Sequence, residues 1–435
     1  MKFWQKHHRF ILTALVLGAG LSLLGVGCGG TKTAGPGDVI NLVYWKPYTT
    51  SDQMKPLIDA FEKSHKNIKI TYRTKPFDTY EQELVDSLAA GTGPDIFSIH
   101  NDWLPKHFDK IAPFPSDTYG LRDYQNDFVD VAAQDFVLDG KVYAVPLSVD
   151  TLALYYNKDI LFSAGIAQPP ATWQDVIADT KIITKQDTSG NITTSAISLG
   201  TSSNINRSVD ILQLLMLQNG TQMTDDKHLR ATFDQSVQVA NNQSAQPGVT
   251  ALTYYTDFAQ PSKEVYTWNN KQSYNIDNFI EGKTAMVLSY QYQNDVIKGR
   301  QPNLNYGIAP VPQVDANNKV NYANYWGEAV SANSAHQDAA FEFLKYISSK
   351  DVLTQYYAKN AVPSSRKDLV NTQLADPVLG VFATQALTAK SWYKTNSSAI
   401  EAVLADMIDD VILRAAAPAN AIRDAAQQVT QLMKQ

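Results

Sequence analysis

DGKVYAVPLSVDTLALYYNKDILFSAG, residues 139–165, is the stretch of sequence that decides the fold. Two runs within it, residues 142–145 and 152–156, are rich in β-branched and aromatic residues, which is typical of strands. No tight hairpin turn lies between the two runs, and Pro146 cannot donate a backbone hydrogen bond to a neighbouring strand. We therefore expect the first strand to end near Pro146 and the second to join another sheet, so that the chain changes domain here.

The chain before this stretch alternates strands and helices. Apolar runs at residues 39–45, 68–72 and 95–99 predict strands, and helical patterns separate them. This β-α-β-α-β order implies right-handed crossovers and a parallel sheet covered by helices on both faces. Because 435 residues exceed the size at which a single core keeps growing, the predicted fold class is α/β with two domains.

The N-terminus predicts export and lipidation. Lys2, Lys6 and Arg9 precede an apolar run at residues 10–24, which is typical of a signal peptide; an uncleaved membrane anchor is the alternative. LLGVGC, residues 23–28, resembles the bacterial lipoprotein box, in which the cysteine is lipidated and becomes the new N-terminus. We therefore expect a lipid on Cys28, a signal peptide at residues 1–27 and a flexible tether at residues 28–38.

Composition and motifs exclude several classes of function. The formal net charge of -6 argues against nucleic acid as a partner, and a single cysteine excludes an intrachain disulfide and a thiolate metal cluster. Nothing in the sequence matches a Gly-rich dinucleotide loop, a P-loop, a nucleophile elbow or a paired-histidine zinc helix. We therefore expect neither a cofactor nor a metal ion.

The predicted strand ends carry both aromatic and polar side chains. Ligands of open α/β sheets bind outside the carboxyl ends of the strands. Flat sugar faces stack on aromatic rings while sugar hydroxyls need carboxylates and amides, so this mixture suits a carbohydrate. The first three strand ends contribute Trp45, Tyr48, Asp78, Asn101, Asp102 and Trp103. Later strand ends and loops contribute Trp268, Tyr290, Tyr292, Trp326, Gly327 and Glu328. Ordinary packing at strand ends is the competing role for the tryptophans.

Five runs of residues resemble one family in their order and spacing: AAGTGPDIFSIHNDWL (89–104), DGKVYAVPLSVDTLALYYNKDIL (139–161), PPATWQDVI (169–177), FIEGKTAMVLS (279–289), and AFEFLKYISS (340–349) leading to VPSSR (362–366). That family is bacterial extracellular solute-binding protein family 1, the carbohydrate receptors of ABC importers. The resemblance implies two α/β lobes of the periplasmic-binding-protein kind, joined by crossing hinge strands, with ligand in the cleft between them. It implies a first lobe at residues 39–146 and 284–331, and a second lobe at residues 147–283 and in a mainly helical region at 332–435.

The resemblance also implies roles for particular residues. Asp102 matches a sugar-binding aspartate, and Asp150 matches an acidic ligand residue at the crossing between lobes. Tyr290 and Tyr292 follow a strand where the family places stacking aromatics, and Trp392 lies near a helix where a stacking tryptophan is found. Arg366 is a further candidate that would pair with an acid or hydrogen-bond a sugar.

The predicted function is a monomeric, membrane-tethered receptor that binds a sugar or oligosaccharide unchanged, closes its lobes and docks on ABC permease subunits. Three alternatives remain open. Carboxylates beside aromatics, here Asp78, Asp102, Asp150 and Glu328, also describe a glycoside hydrolase. An adhesion or scaffold lipoprotein is the second alternative. A receptor for a polyol or glycerol phosphate is the third, although a phosphate site requires more basic residues than Lys46 and Arg73.

Overall fold

The structure, a computed structural model, describes residues 39–239 and 243–434. The predicted signal peptide, the tether and Cys28 lie outside these residues. The strands are β1 (Ile40–Pro47), β2 (Ile68–Lys75), β3 (Ile96–His100), β4 (Ile111–Ala112), β5 (Val137–Leu138), β6 (Lys141–Val142), β7 (Ala144–Pro146), β8 (Asp150–Thr151), β9 (Ala153–Asn157), β10 (Lys185–Gln186), β11 (Ile192–Ile197), β12 (Val237–Val239), β13 (Gln243–Ala245), β14 (Thr284–Ser289), β15 (Tyr306–Ala309), β16 (Asn321–Asn324), β17 (Trp326–Ser331) and β18 (Ala389–Lys390).

The α-helices are α1 (Ser51–Ser64), α2 (Phe77–Ala89), α3 (Leu104–His107), α4 (Leu121–Asp127), α5 (Asp130–Phe136), α6 (Lys158–Ser163), α7 (Trp173–Ile183), α8 (Ser208–Gln218), α9 (Pro247–Asp257), α10 (Asn275–Ile280), α11 (Tyr292–Arg300), α12 (Gln337–Ile347), α13 (Lys350–Lys359), α14 (Val370–Gln373), α15 (Leu379–Ala386), α16 (Ser397–Ile412) and α17 (Pro418–Leu432). Two main sheets and a small third sheet organise these elements.

The first main sheet contains the strands predicted from the β-α-β-α-β order. Its strand order is β2-β1-β3-β17-β4, with β7 also paired to β17. Strand β1 runs parallel to both β2 and β3, which confirms the predicted parallel arrangement. Strand β17 returns from far along the chain and runs antiparallel to β3, with Trp326 opposite His100. The return places Trp326 at the carboxyl end of β3.

The second main sheet has the strand order β10-β11-β14-β9-β15. Strand β9 pairs with β14 and β15, both antiparallel, and β11 pairs with β14 in parallel. The assignment of residues 284–331 to the first lobe is therefore wrong for β14 and β15. Only β17 of that range joins the first sheet. The apolar strand 284–289 is buried at every position, and such a pattern does not indicate which sheet a strand enters.

The assignment of residues 332–435 mainly to the second lobe is also wrong in part. Helices α12 and α13 pack on the first sheet, where Phe343 and Leu353 share a core with Leu42. Helices α16 and α17 pack in the core of the second sheet. The physical reason is that an amphipathic pattern shows which face of a helix is buried but not what covers it. Below, the first lobe means the first sheet with its helices, and the second lobe means the second sheet with its helices.

A small sheet of order β18-β16-β8 connects the lobes. Residues 139–165 run from β7 in the first sheet through β8 into β9 of the second sheet, as the opening stretch predicts. A second crossing runs from β15 through β16 to β17. Gln385, at the end of α15, donates hydrogen bonds to Thr151 and Leu152 and so holds the crossing segments together. The small sheet forms the hinge between the lobes.

Candidate functional site

A cavity of about 1070 Å³ lies between the two lobes, at the carboxyl ends of β1 and β3. Such volumes are typical of sites for small organic ligands. Its floor is the hinge sheet, which contributes Asp150 of β8 and Asn324 of β16. The two sides of the cavity come from different lobes and differ in chemistry.

The first lobe presents an aromatic wall, defined here as Tyr48, Phe77, Trp103 and Trp326. Tyr48 stacks on Phe77 with ring centroids 5.0 Å apart, and Trp326 packs edge-on against Trp103 at 5.2 Å. Tyr48 is 62% exposed and Phe77 is 47% exposed, so both rings are open to the cavity. Tyr48 also has a left-handed backbone, with a φ of 61°, which costs energy in a residue other than glycine. An exposed ring on a strained backbone is typical of a ligand contact.

Asp102 lies at the base of this wall in a buried ionic group. One carboxylate oxygen lies 2.6 Å from His100 Nδ1 and the other 2.8 Å from Lys394 Nζ. Burial by itself raises the pKa of Asp102, but the Lys394 ammonium and the His100 ring outweigh it and lower that pKa well below its usual range. Burial by itself lowers the pKa of His100. The Asp102 carboxylate outweighs burial, so the pKa of His100 is raised overall. Asp102 is therefore held as a carboxylate.

Asp150, on the hinge, has the opposite electrostatics. Its carboxylate accepts hydrogen bonds from the backbone N–H groups of Thr151 at 2.8 Å and Gln291 at 2.9 Å. Burial raises the pKa of Asp150 to about 8, and neither these amides nor the Arg207 guanidinium offset it. Burial therefore favours the protonated form of Asp150.

The second lobe presents a polar wall, defined here as Arg207, Asp210, Gln213, Gln291 and Lys394. Asp210 lies 3.9 Å from the Arg207 guanidinium. Gln213 approaches Asp210 at 3.5 Å. Lys394 Nζ lies 3.3 Å from the hydroxyl of Tyr322, another lining residue. This wall offers both donors and acceptors, which is what a polyhydroxylated ligand requires.

Two polar atoms beside the cavity have no hydrogen-bond partner within the part of the chain that the structure describes. They are the Gln291 side-chain nitrogen and the Ser397 hydroxyl, and both are buried. Both residues line the cavity. Because buried polar groups are normally paired, the two atoms indicate where a ligand or water would hydrogen-bond.

The structure brings together eight of the site residues predicted from the sequence. Those that line the cavity are Tyr48, Asp78, Asn101, Asp102, Trp103, Asp150, Tyr292 and Trp326. Their contact with a ligand stays a prediction. Tyr290 and Trp392 lie directly behind the polar wall: the Tyr290 hydroxyl donates to Asp210, and the Trp392 indole N–H donates to Gln213. Their predicted role as stacking platforms is wrong, because both side chains are buried behind the lining residues.

The other predicted site residues do not line the cavity, so the structure does not support their assignment. Trp45 is buried in the first-lobe core, and Trp268 is buried in the second-lobe core, where it donates to Asn204. Gly327 lies within β17, where an added Cβ would meet the Phe136 ring at 2.5 Å. Gly327 therefore serves close packing, which requires glycine.

Glu328 and Arg366 are paired with other residues instead of facing the cavity. Glu328 is completely buried, and it accepts hydrogen bonds from Tyr44, Lys46 and Ser98. Arg366 is buried in the first lobe, where it pairs with Asp127 and Asp368, with contacts of 2.8 and 3.0 Å. The sequence shows a charge at each position but not the partner that neutralises it.

Sequence reasoning missed Arg207, Asp210 and Lys394. Asp210 is the one charged residue in the otherwise apolar helix α8, and a charge inside such a helix requires a partner. The charge of Asp210 within an apolar helix could therefore have identified it from the sequence. Lys394 follows Trp392 by two residues at an interruption of the C-terminal helices, and nothing local in the sequence distinguishes it from a surface lysine.

Among the described residues, no helix combines the length and apolar character needed to cross a membrane. Residues 39–239 and 243–434 also contain no cluster of three or more histidine, cysteine, aspartate or glutamate side chains arranged to hold a metal ion.

Comparison with known proteins identifies similar chains over most of the length. A family model described as "Bacterial extracellular solute-binding protein" matches residues 47–353. The galactooligosaccharide-binding protein of Bacillus subtilis is 25% identical over 402 residues, which cover 90% of this chain and 87% of the relative. The melibiose/raffinose/stachyose-binding protein of the same organism is 24% identical over 315 residues, covering 71% and 69%.

Solved structures share the fold. The sugar-binding protein MalE from Xanthomonas citri superimposes with a TM-score of 0.76 at 21% identity, covering 91% of this chain and 97% of that one. At this identity the similarity concerns the fold, which is the two-lobe α/β architecture predicted from the sequence.

Proposed function

Because the chain belongs to the bacterial extracellular solute-binding protein family, we propose that it binds a sugar or oligosaccharide in its cleft and delivers it to the permease subunits of an ABC importer. The observation that carries the proposal is the pairing of an aromatic wall with a polar wall across one cavity. Rings stack on the apolar faces of a sugar, and the opposite wall hydrogen-bonds its hydroxyls. The ligands in the relatives' names, galactooligosaccharides and raffinose-type sugars, have this chemistry.

Binding would favour closure of the two lobes. A ligand in the cleft contacts both walls only when the lobes are close together, so its binding energy shifts the population toward the closed arrangement. The hinge sheet, with short strands β8, β16 and β18, is the element that rotates in this proposal. The closed molecule then docks on the permease.

The charges of the cavity favour a neutral ligand over a phosphate. Each basic lining residue has an acidic neighbour within 4 Å among the described residues: Lys46 with Glu328, Lys106 with Glu81, Arg207 with Asp210, and Lys394 with Asp102. A phosphate requires cations whose charge is not already neutralised. The glycerol-phosphate alternative therefore has less support than the sugar.

The protein in this proposal is a receptor and not an enzyme. The opposite pKa shifts of Asp102 and Asp150 resemble the acid and base pair of a glycosidase, so hydrolysis is the outcome to test against. Each carboxylate is, however, already engaged by several protein donors. We further propose that a lipid on Cys28 tethers a monomeric receptor to the outer face of the cell membrane, near its permease.

A thermal-shift screen against mono- and oligosaccharides tests this function. A specific ligand at 100 times its Kd stabilises a protein by about 2.7 kcal/mol and raises the Tm accordingly. We expect a shift with oligosaccharides of the raffinose or maltose type and none with glycerol 3-phosphate. A screen without any carbohydrate shift contradicts the proposal. Release of reducing ends from a stabilising sugar indicates a hydrolase instead.

A further inference from the structure

A short segment of the C-terminal region makes polar contacts with both lobes at the floor of the cleft. This clasp segment, residues 391–394, lies between β18 and α16. On the second-lobe side, Trp392 is buried in the core of that lobe, and its indole N–H donates to Gln213. Trp392 thereby fixes the segment to the second lobe.

The same segment contacts the first lobe at two points. Gln134 donates a 2.8 Å hydrogen bond to the backbone carbonyl of Ser391, and the Ser391 hydroxyl donates to Asp135. Lys394 Nζ lies 2.8 Å from Asp102, which follows β3 of the first sheet. The Lys394 contact is an ion pair and is buried, with 10% and 4% of the two side chains exposed. It is therefore a charged link across the cleft.

We propose that Lys394 is a positioning residue that couples ligand binding at Asp102 to closure of the lobes; this rests on the proposed function. An ammonium has three donors, of which Asp102 and Tyr322 take two. A carboxylate has about four acceptor sites, of which His100 and Lys394 take two. Because both Lys394 and Asp102 line the cavity, one ligand hydroxyl beside the pair can accept from the second lobe and donate to the first.

Because the Lys394–Asp102 pair is buried, breaking it affects the free energy of lobe opening. Opening the lobes would separate Lys394 from Asp102 and leave each charge to be hydrated in a partly enclosed floor, whereas closure restores the pair. A ligand that excludes water from the pair strengthens the attraction, since charges interact more strongly at low dielectric. Lys394 thus links occupancy of the cleft to its geometry.

The test measures the distance between the lobes directly. Spin labels at Lys63→Cys on α1 and Ala178→Cys on α7, in the full chain with Cys28→Ser, report that distance by double electron–electron resonance. Lys394→Met removes the charge and keeps most of the stem, and Lys394→Arg keeps the charge. Lys390→Met, an exposed lysine on β18, is the matched control. Asp102→Asn/Lys394→Met leaves no orphaned charge and serves where Lys394→Met fails to fold.

We expect ligand-free Lys394→Met and the double variant to give longer and broader distances than the wild type. Lys394→Arg and Lys390→Met should keep the wild-type distribution. With stachyose and maltotetraose as probes, Lys394→Met should lose about tenfold or more in affinity for whichever sugar binds the wild type. Wild-type distances in both Met-containing Lys394 variants overturn the proposal. If neither probe binds the wild type, the full carbohydrate screen decides the proposed function, while the ligand-free distances still decide the role of Lys394.

Discussion

The two walls of the cleft differ in chemistry and in how far their residues can be predicted. The aromatic wall comes from the ends of β1, β3 and β17 and the start of α2, all beside one sheet edge. The polar wall comes from the start of α8, the β14–α11 junction and the clasp segment, which are far apart in the sequence. Three of the four aromatic-wall residues come from one supersecondary unit and only Trp326 comes from a distant strand, whereas the hydrogen-bonding surface is assembled entirely by the tertiary fold.

Asp102 at the base of the aromatic wall and Asp150 on the floor of the cavity differ in their electrostatics as well. Asp102 is ionised because a lysine from a distant segment reaches it, and the pKa of Asp150 is raised because burial leaves it only backbone amides and a distant guanidinium. The same residue type therefore has opposite pKa shifts at two places in the cleft. The predictions below test whether each wall behaves as its contacts indicate.

The largest effect is expected beneath the aromatic wall, at Glu328. Glu328→Ala leaves the Lys46 ammonium buried without its carboxylate, which should lower the free energy of unfolding by about 3–5 kcal/mol. Urea denaturation measures this loss. Asp78→Asn, an exposed carboxylate on the same side of the cavity, is the control and should change stability by less than about 0.5 kcal/mol. Unaltered stability of Glu328→Ala with loss of sugar affinity would return Glu328 to the binding site.

Trp326→Leu should weaken sugar binding and spare the fold. The variant removes the ring that contacts both Phe77 and Trp103 at the cavity, and we expect an affinity loss of about 1.5–3 kcal/mol, measured by titration calorimetry. Trp45→Leu is the matched control, because Trp45 is buried in the first-lobe core and does not line the cavity. It should lose stability and keep its affinity. The reverse pattern would mean that the aromatic wall is misassigned.

The pH dependence should differ in sign between Asp150 and Asp102. The pKa of Asp150 is about 8 when folded and about 3.9 when unfolded, so the folded state binds more protons between these values. Rising pH through this window therefore removes up to about 1.4 kcal/mol of stability per pH unit. The Tm of Asp150→Asn relative to the wild type should rise from about pH 5 to about pH 8.

Asp102→Asn is the control for that experiment. Because the folded pKa of Asp102 is lowered, its carboxylate stabilises the protein above about pH 4 and loses this effect as the pH falls. Its Asn variant should be less stable than the wild type at neutral pH, and the difference should shrink toward acid. Parallel pH profiles for the two variants would contradict the contrast between the two carboxylates.

The smallest effect concerns the backbone of Tyr48. Its φ of 61° suits glycine better than alanine, so Tyr48→Gly should be more stable than Tyr48→Ala by about 1 kcal/mol or less. Both variants lose the ring that stacks on Phe77 and should lose the same affinity. Thermal unfolding and calorimetry on the two variants separate strain from stacking. Equal stabilities would show that the left-handed backbone carries no strain.

Much of the fold could be predicted because its signals are local. The β-α-β-α-β order, the break at Pro146 and the family resemblance led to a two-lobe α/β fold, which the family match and the similar structures confirm. The lobe assignments failed for β14, β15, α12 and α13, because periodicity shows that a face is buried and not which sheet covers it.

The sequence by itself determined the strand ends that place Tyr48, Asp102 and Trp103 at one edge of a sheet, since chain order and strand direction suffice for that. Only the tertiary structure decided that Glu328 is neutralised by Lys46 and that Lys394 reaches Asp102 from 292 positions away in the sequence. Burial and charge pairing depend on which segments meet in space. Whether a side chain lines the cavity or packs in the core therefore depends on which distant segments of the chain contact it.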